Sequence, residues 1–209
     1  MRAILRERRR AIPVRERLDA AAALASHLLP ELAALHASGN HGRIAGYWAV
    51  GGELPLHAVQ SALPAGLRWC LPVLHDDGRL RFCEWAAGQP LEPNRLGIPE
   101  PTQGPLLDAD ALAVVLVPLL AFDARGNRLG QGGGWYDRSF DFLCGSSQGL
   151  RGSDSDATRR TRGAPLLIGI GYDGQQVDEL PAEPWDVPLD AVATPSAFHR
   201  FDRHATASP

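Results

Sequence analysis

The chain has 209 residues, of which 44% are hydrophobic and 22% charged, and its formal net charge is −3 at pH 7. That is ordinary composition for one domain burying about 70% of its unfolded surface, and it excludes a wholly disordered chain. The slight negative charge speaks against bulk nucleic-acid binding. There is no lysine, so all 21 basic residues are arginine. This excludes a Schiff-base lysine and a Walker phosphate loop; phosphate must be met by arginine, protonated histidine, a metal or backbone N–H groups. Cys70, Cys83 and Cys144 have neither disulfide nor metal spacing, which makes a cytoplasmic location the expectation. The longest apolar run, 109–122, is interrupted by Asp110 and Pro118, so no membrane span is expected.

Seven of the first twenty residues are arginine, interleaved with Glu7, Glu16 and Asp19, a mixture that fits neither a transit peptide nor a secretory signal. Arg2, Arg6 and Arg9 or Arg10 recur at helical spacing on one face. Pro13 suits the first turn of a second helix with an apolar stripe at Leu18, Ala21, Leu24, Ala25 and Leu28. Pro30 is expected to close it or to open a short further helix through Ala37. Residues 43–48 (RIAGYW) read as a strand, broken by GGE at 51–53 and followed by a helix over 54–63. Residues 69–73 and 80–85 read as strands joined by a tight turn at 75–78. Residues 86–108 read as an ordered, proline-fixed loop. The run 113–118 (AVVLVP) fits a strand buried on both faces of a parallel sheet. A helix is expected over 135–143, a mobile loop over 144–164, strands over 166–171 and 191–194, and a frayed tail over 202–209. The alternation predicts one α/β domain over 1–209: three-layer α/β/α, with a mainly parallel, Rossmann-like open sheet and a basic N-terminal helix.

The chemistry concentrates at 125–138 (RGNRLGQGGGWYDR). Gly130, Gly132, Gly133 and Gly134 let backbone N–H groups approach an anion with no Cβ in the way. Arg128 and Arg138 flank them. Asp137 is a hard-oxygen ligand of the kind Mg2+ accepts, and Trp135 and Tyr136 can pack on a planar ring. The pattern is neither GxGxxG nor GxxxxGKS.

Residues 117–123 (VPLLAFD) and 126–138 (GNRLGQGGGWYDR) resemble the signature of the 5-formyltetrahydrofolate cyclo-ligase family. GGE at 51–53, GIPEP at 97–101 and DELPAEPWDVPLD at 178–190 are similar to further family blocks in the right order. The resemblance implies cyclisation of 5-formyltetrahydrofolate to 5,10-methenyltetrahydrofolate, with ATP as co-substrate, Mg2+ as cofactor and a phosphorylated formyl oxygen on the path. The alternative is an inactive homologue that binds nucleotide or folate. It also implies ATP contacts at Arg2, Arg6 and Arg128, and along Leu129, Gly130, Gln131, Gly132, Gly133, Gly134, Trp135 and Tyr136. Trp48, Glu53 and Tyr136 match substrate-side positions, Arg128 and Tyr136 catalytic ones. Asp137 and Asp186 match the metal positions, with Asp190 a nearby alternative to Asp186. Gln131 and Gly133 stand where some relatives have basic side chains. The partners implied are small molecules bound by a monomer.

Overall fold

The computed structural model describes residues 1–38, 42–144 and 164–201. The expected loop at 144–164, apart from its two end residues, and the expected tail at 202–209 lie outside them. Helices α1 (Arg2–Ala11) and α2 (Val14–Ala37) lead into β1 (Arg43–Ala45), α3 (His57–Ser61), β2 (Arg68–Leu74) and β3 (Leu80–Glu84). Two small hairpins follow: β4 (Leu91–Pro93) with β5 (Pro99–Pro101), then, after β6 (Leu112–Pro118), β7 (Ala121–Phe122) with β8 (Arg128–Leu129). The chain continues through α4 (Trp135–Ser139), β9 (Leu166–Ile170), β10 (Ala191–Ala193) and β11 (Phe198–Arg200).

Seven strands form one sheet in the order β11-β10-β9-β6-β1-β2-β3. The inner five run parallel, and β3 and β11 are antiparallel edges. The expected α/β class with a mainly parallel sheet is therefore what the chain adopts. In chain order the parallel strands lie second, first, third, fourth, fifth, so the winding reverses between β1 and β6. Clefts of doubly wound sheets open at such a reversal, beyond the carboxyl ends of the strands. β6 is buried from Leu112 through Val117, which explains its unbroken apolar run. One face is covered by α2 and α3, with Leu24, Leu28, Leu32 and Val59 in that core. The other is covered by α4 and irregular chain, through Phe122, Phe140, Val187 and Leu189.

Several expectations need correcting. Pro30 neither ends α2 nor opens another helix: α2 runs through it to Ala37. The proline removes one intrahelical bond, but Leu28 and Leu32 on either side are buried, and packing outweighs that loss. Leu18, counted in the buried stripe, is exposed. By length and composition α2 is also apolar enough to cross a membrane. The run-length reading missed this because its apolar residues are spaced, not contiguous; here they pack against the sheet. The 86–108 segment contains the β4–β5 hairpin, and β11 was not foreseen. The helix expected over 135–143 stops at Ser139, and a 3-10 turn takes over at Asp141–Leu143.

Candidate active site

A cavity of about 1140 Å³ opens at the winding reversal between β1 and β6. Its walls come from α1, the segment after β1, the β4–β5 hairpin, the glycine loop and the 181–186 segment. It lies just above the roughly 300–1,000 Å³ usual for a small-molecule site.

One wall is polar yet buried. Glu53 closes the turn after β1, where Gly52 adopts φ +81° and a Cβ would lie 2.6 Å from the Arg9 carbonyl oxygen. A side chain there would push α1 away from this turn. Arg9, only 3% exposed, reaches under α1 to this turn. Its Nη2 lies 3.4 Å from Glu53 Oε1, its Nε donates to the Gly51 carbonyl and its Nη1 to the Leu119 carbonyl. Glu53 Oε2 accepts the Val50 N–H. Burial raises the Glu53 carboxyl, while Arg9 and the Val50 and Gln131 donors oppose that shift. Burial likewise pushes the Tyr47 and Tyr136 phenols up, reinforced by the Glu53 charge, so both stay protonated. Tyr47 donates to the Leu54 carbonyl, and Tyr136 stacks on Phe140 at 6.3 Å.

The opposite wall is open. Gly134, at φ +64°, turns the loop into α4. Arg2 Nε donates to the Gly130 carbonyl and Arg6 Nη2 to the Gln131 carbonyl, so α1 is latched onto the loop. Arg6 Nε also donates to Gln131 Oε1 at 2.9 Å, and Gln131 Nε2 donates to Glu53 Oε1 at 3.4 Å. Because α4 has five residues, its dipole is short, and the donors on offer at the loop are its N–H groups and the arginines. Arg95 and Arg138 lie 5.2 and 5.3 Å from the Trp135 ring centroid, joining the β4–β5 hairpin tip to the loop. Trp48 is 40% exposed on the rim, edge-on to Trp85 at 6.1 Å.

Arg128 Nη2 lies 2.5 Å from Asp137 Oδ1, and its Nε is buried with no hydrogen-bond partner. A buried, unmatched guanidinium donor beside the loop suits an incoming anion. Asp137 Oδ1 also accepts the Val187 N–H, which ties α4 to the segment carrying Asp186. Asp186 Oδ2 accepts the Glu183 N–H. Both carboxylates line the cavity, and as hard oxygens they fit Mg2+. The described residues hold no cluster of three or more metal-ligating side chains, so the ion would rest on these two carboxylates plus phosphate and water. Asp190 serves the sheet instead: its Oδ2 accepts the Leu167 N–H, and it is not in the cavity wall.

Sequence reasoning missed two supports. Arg9 and Arg10 share the helical face of Arg2 and Arg6, so spacing does not separate them; only the fold buries Arg9 against Glu53. Asp123 is fully buried below the loop, accepting from Arg125 N, both Asn127 nitrogens and Leu180 N. Burial raises its carboxyl, but these donors outweigh burial and hold it below the usual range. It joins the β7–β8 turn to the 178–190 segment, and no local pattern announces that.

Fold and cavity together define a doubly wound α/β protein with an arginine- and carboxylate-lined cleft at its topological reversal. The chain matches the 5-formyltetrahydrofolate cyclo-ligase family over residues 1–195 and belongs to it. The 5-formyltetrahydrofolate cyclo-ligase of Escherichia coli K12 is 33% identical over 200 residues, covering 92% of this chain and 97% of that protein. The Haemophilus influenzae enzyme of the same name is 35% identical over 151 residues, covering 70% and 72%. The Aquifex aeolicus 5,10-methenyltetrahydrofolate synthetase structure superposes with a TM-score of 0.69 at 22% identity, covering 99% and 97%, a likeness of fold. The chain is thus an enzyme of this family, a ligase of folate metabolism.

Proposed function

We propose that the protein cyclises 5-formyltetrahydrofolate to 5,10-methenyltetrahydrofolate with ATP and Mg2+, acting as a cytoplasmic monomer on small molecules. The observation that carries this reading is that one cavity joins a buried carboxylate–tyrosine wall to an arginine-latched glycine loop.

The formyl oxygen attacks the γ-phosphorus of ATP, and ADP leaves. Nitrogen 10 of the folate then attacks the formyl carbon, the carbon–oxygen bond breaks, phosphate departs, and nitrogen 10 gives up its proton. A formamide oxygen is a poor leaving group, and phosphorylation makes it a good one. The enzyme's task is to align the two substrates and neutralise charge.

Residues Leu129 to Tyr136 cradle the nucleotide. Arg2 and Arg6 hold α1 on that loop, and their remaining donors face phosphate charge. Arg128 supplies its unmatched Nε–H to the transferring phosphoryl group. Asp137 and Asp186 would hold Mg2+, which when bound neutralises phosphate oxygens. Glu53 accepts N–H donors of the pterin edge, and Trp48 packs on its ring. Tyr136, kept protonated by burial, donates its O–H on the substrate side.

The test is absorbance at the methenyl-folate band with purified protein, 5-formyltetrahydrofolate, ATP and Mg2+. A rise that needs all three supports the reading. No rise, with both ligands bound in calorimetry, would favour an inactive binding homologue.

A further inference from the structure

The two walls of the cavity meet through one exposed side chain. Gln131 accepts from Arg6 Nε at 2.9 Å through its amide oxygen. Through its amide nitrogen it donates to Glu53 Oε1 at 3.4 Å. Its own carbonyl accepts from Arg6 Nη2 at 3.0 Å. Arg6 therefore grips Gln131 at both main chain and side chain, so the direction of the amide follows the arrangement of the loop. Beyond Gln131, Glu53 Oε1 also meets Arg9 Nη2 at 3.4 Å. The result is a continuous chain, Arg6–Gln131–Glu53–Arg9, from the open wall to the buried one.

An amide suits this link as a cation would not. A cationic side chain at 131 would give Glu53 a second positive partner and compete with any ligand N–H for its oxygens. A neutral amide occupies one lone pair weakly and leaves Arg9 as the cation that meets Glu53 in the buried wall. We infer that Gln131 is a positioning residue that couples the two substrates: nucleotide ordering the glycine loop fixes the Gln131 amide, which fixes Glu53 for the folate. This rests on the cyclo-ligase reading, which puts nucleotide at the loop and folate at Glu53.

Coupling of this kind is reciprocal, so each ligand tightens the other by the same factor. The cost of ordering the loop is met by the first ligand and spared for the second.

The experiment is a calorimetric binding cycle. The affinity of 5-formyltetrahydrofolate is measured with and without a non-hydrolysable ATP analogue plus Mg2+. It uses the wild-type chain, Gln131→Met, which keeps the size but loses both amide bonds, and Gln131→Glu, which keeps the acceptor for Arg6 but repels Glu53. The wild type is expected to bind folate about fivefold or more tightly when nucleotide is present, the lower end of ordinary coupling. Gln131→Met should bring that ratio to within about twofold of unity, and Gln131→Glu should bring it to unity or below. A Gln131→Met protein that loses affinity for either ligand alone but keeps the wild-type ratio would overturn the inference, since a merely structural role predicts that result. A wild type that binds both ligands with no mutual effect overturns it too and leaves the cyclo-ligase reading intact. A wild type that binds neither ligand sinks both.

Discussion

The two walls of the cavity are built on opposite principles. The wall after β1 is buried and already partnered: Glu53 has Arg9, Val50 N–H and Gln131, and Tyr47 has the Leu54 carbonyl. The wall at the glycine loop is exposed, and α1 holds it through arginine bonds to loop carbonyls. Buried polar groups are costly unless matched, so Arg9 and the Val50 N–H hold most of the first wall in place, and the exposed Gln131 is the partner of Glu53 left to adjust. Exposed arginine bonds contribute little to stability, so the second wall can be reshaped by what it binds. On the proposed reading the first wall recognises the folate, and the second adjusts to phosphate charge.

Four substitutions sharpen this contrast, from the largest effect to the smallest. Arg9→Met breaks the buried wall and leaves Glu53 as an unpaired buried charge. Thermal or denaturant unfolding should register a loss of about 3–5 kcal/mol; a loss like that of a surface change would mean that Arg9 does not support this wall. Asp137→Ala acts on the open wall. It should lower Mg2+-dependent turnover by about 100-fold or more and, because it leaves the nearly buried Arg128 and the Val187 N–H without their acceptor, lower the unfolding midpoint as well; unchanged turnover in the folded variant would remove the metal assignment.

Glu53→Gln should weaken folate binding by about tenfold, the scale of one charge-assisted hydrogen bond, with far less effect on nucleotide. Equal losses for both ligands would contradict the division between the walls. The pH dependence carries a sign. Because burial raises the Glu53 carboxyl above its ordinary 4.5, the ionised form is lost on acidification at a pH above 4.5, and folate affinity should fall there. The same raised value means that the free protein loses stability as pH rises through that window, because ionisation is harder in the fold than in the unfolded chain. Affinity titrated against pH in wild type and Glu53→Gln checks the first, since the variant should lack the acid limb, and denaturant unfolding of the free proteins across the same pH range checks the second. Trp48→Ala is the mildest. Loss of a rim aromatic should cost about 0.5–1.5 kcal/mol of folate affinity and leave unfolding unchanged.

Much of this was legible along the chain. The apolar run at 113–118 marked the central strand because a strand buried on both faces has no polar face to show. The glycine loop was legible because an unhindered backbone needs glycine locally, as at Gly134. Local signals failed where distant packing decided. Pro30 sits inside α2 because Leu28 and Leu32 are held from outside the helix. β11 is short and half exposed, and it forms only because β10 offers it an edge.

The sequence by itself determined the class of sheet, the place of the phosphate-type loop and the family to which the chain belongs. These depend on residue types at short spacing, which periodicity and motif capture. Tertiary structure alone decided that Arg9, not Arg10, meets Glu53, that Asp123 ties the loop to the segment bearing Asp186, and that Gln131 joins the two walls. Each of these pairs residues more than forty positions apart. A buried charge finds its partner by the geometry of the folded sheet, and nothing in the neighbouring residues records which partner that is.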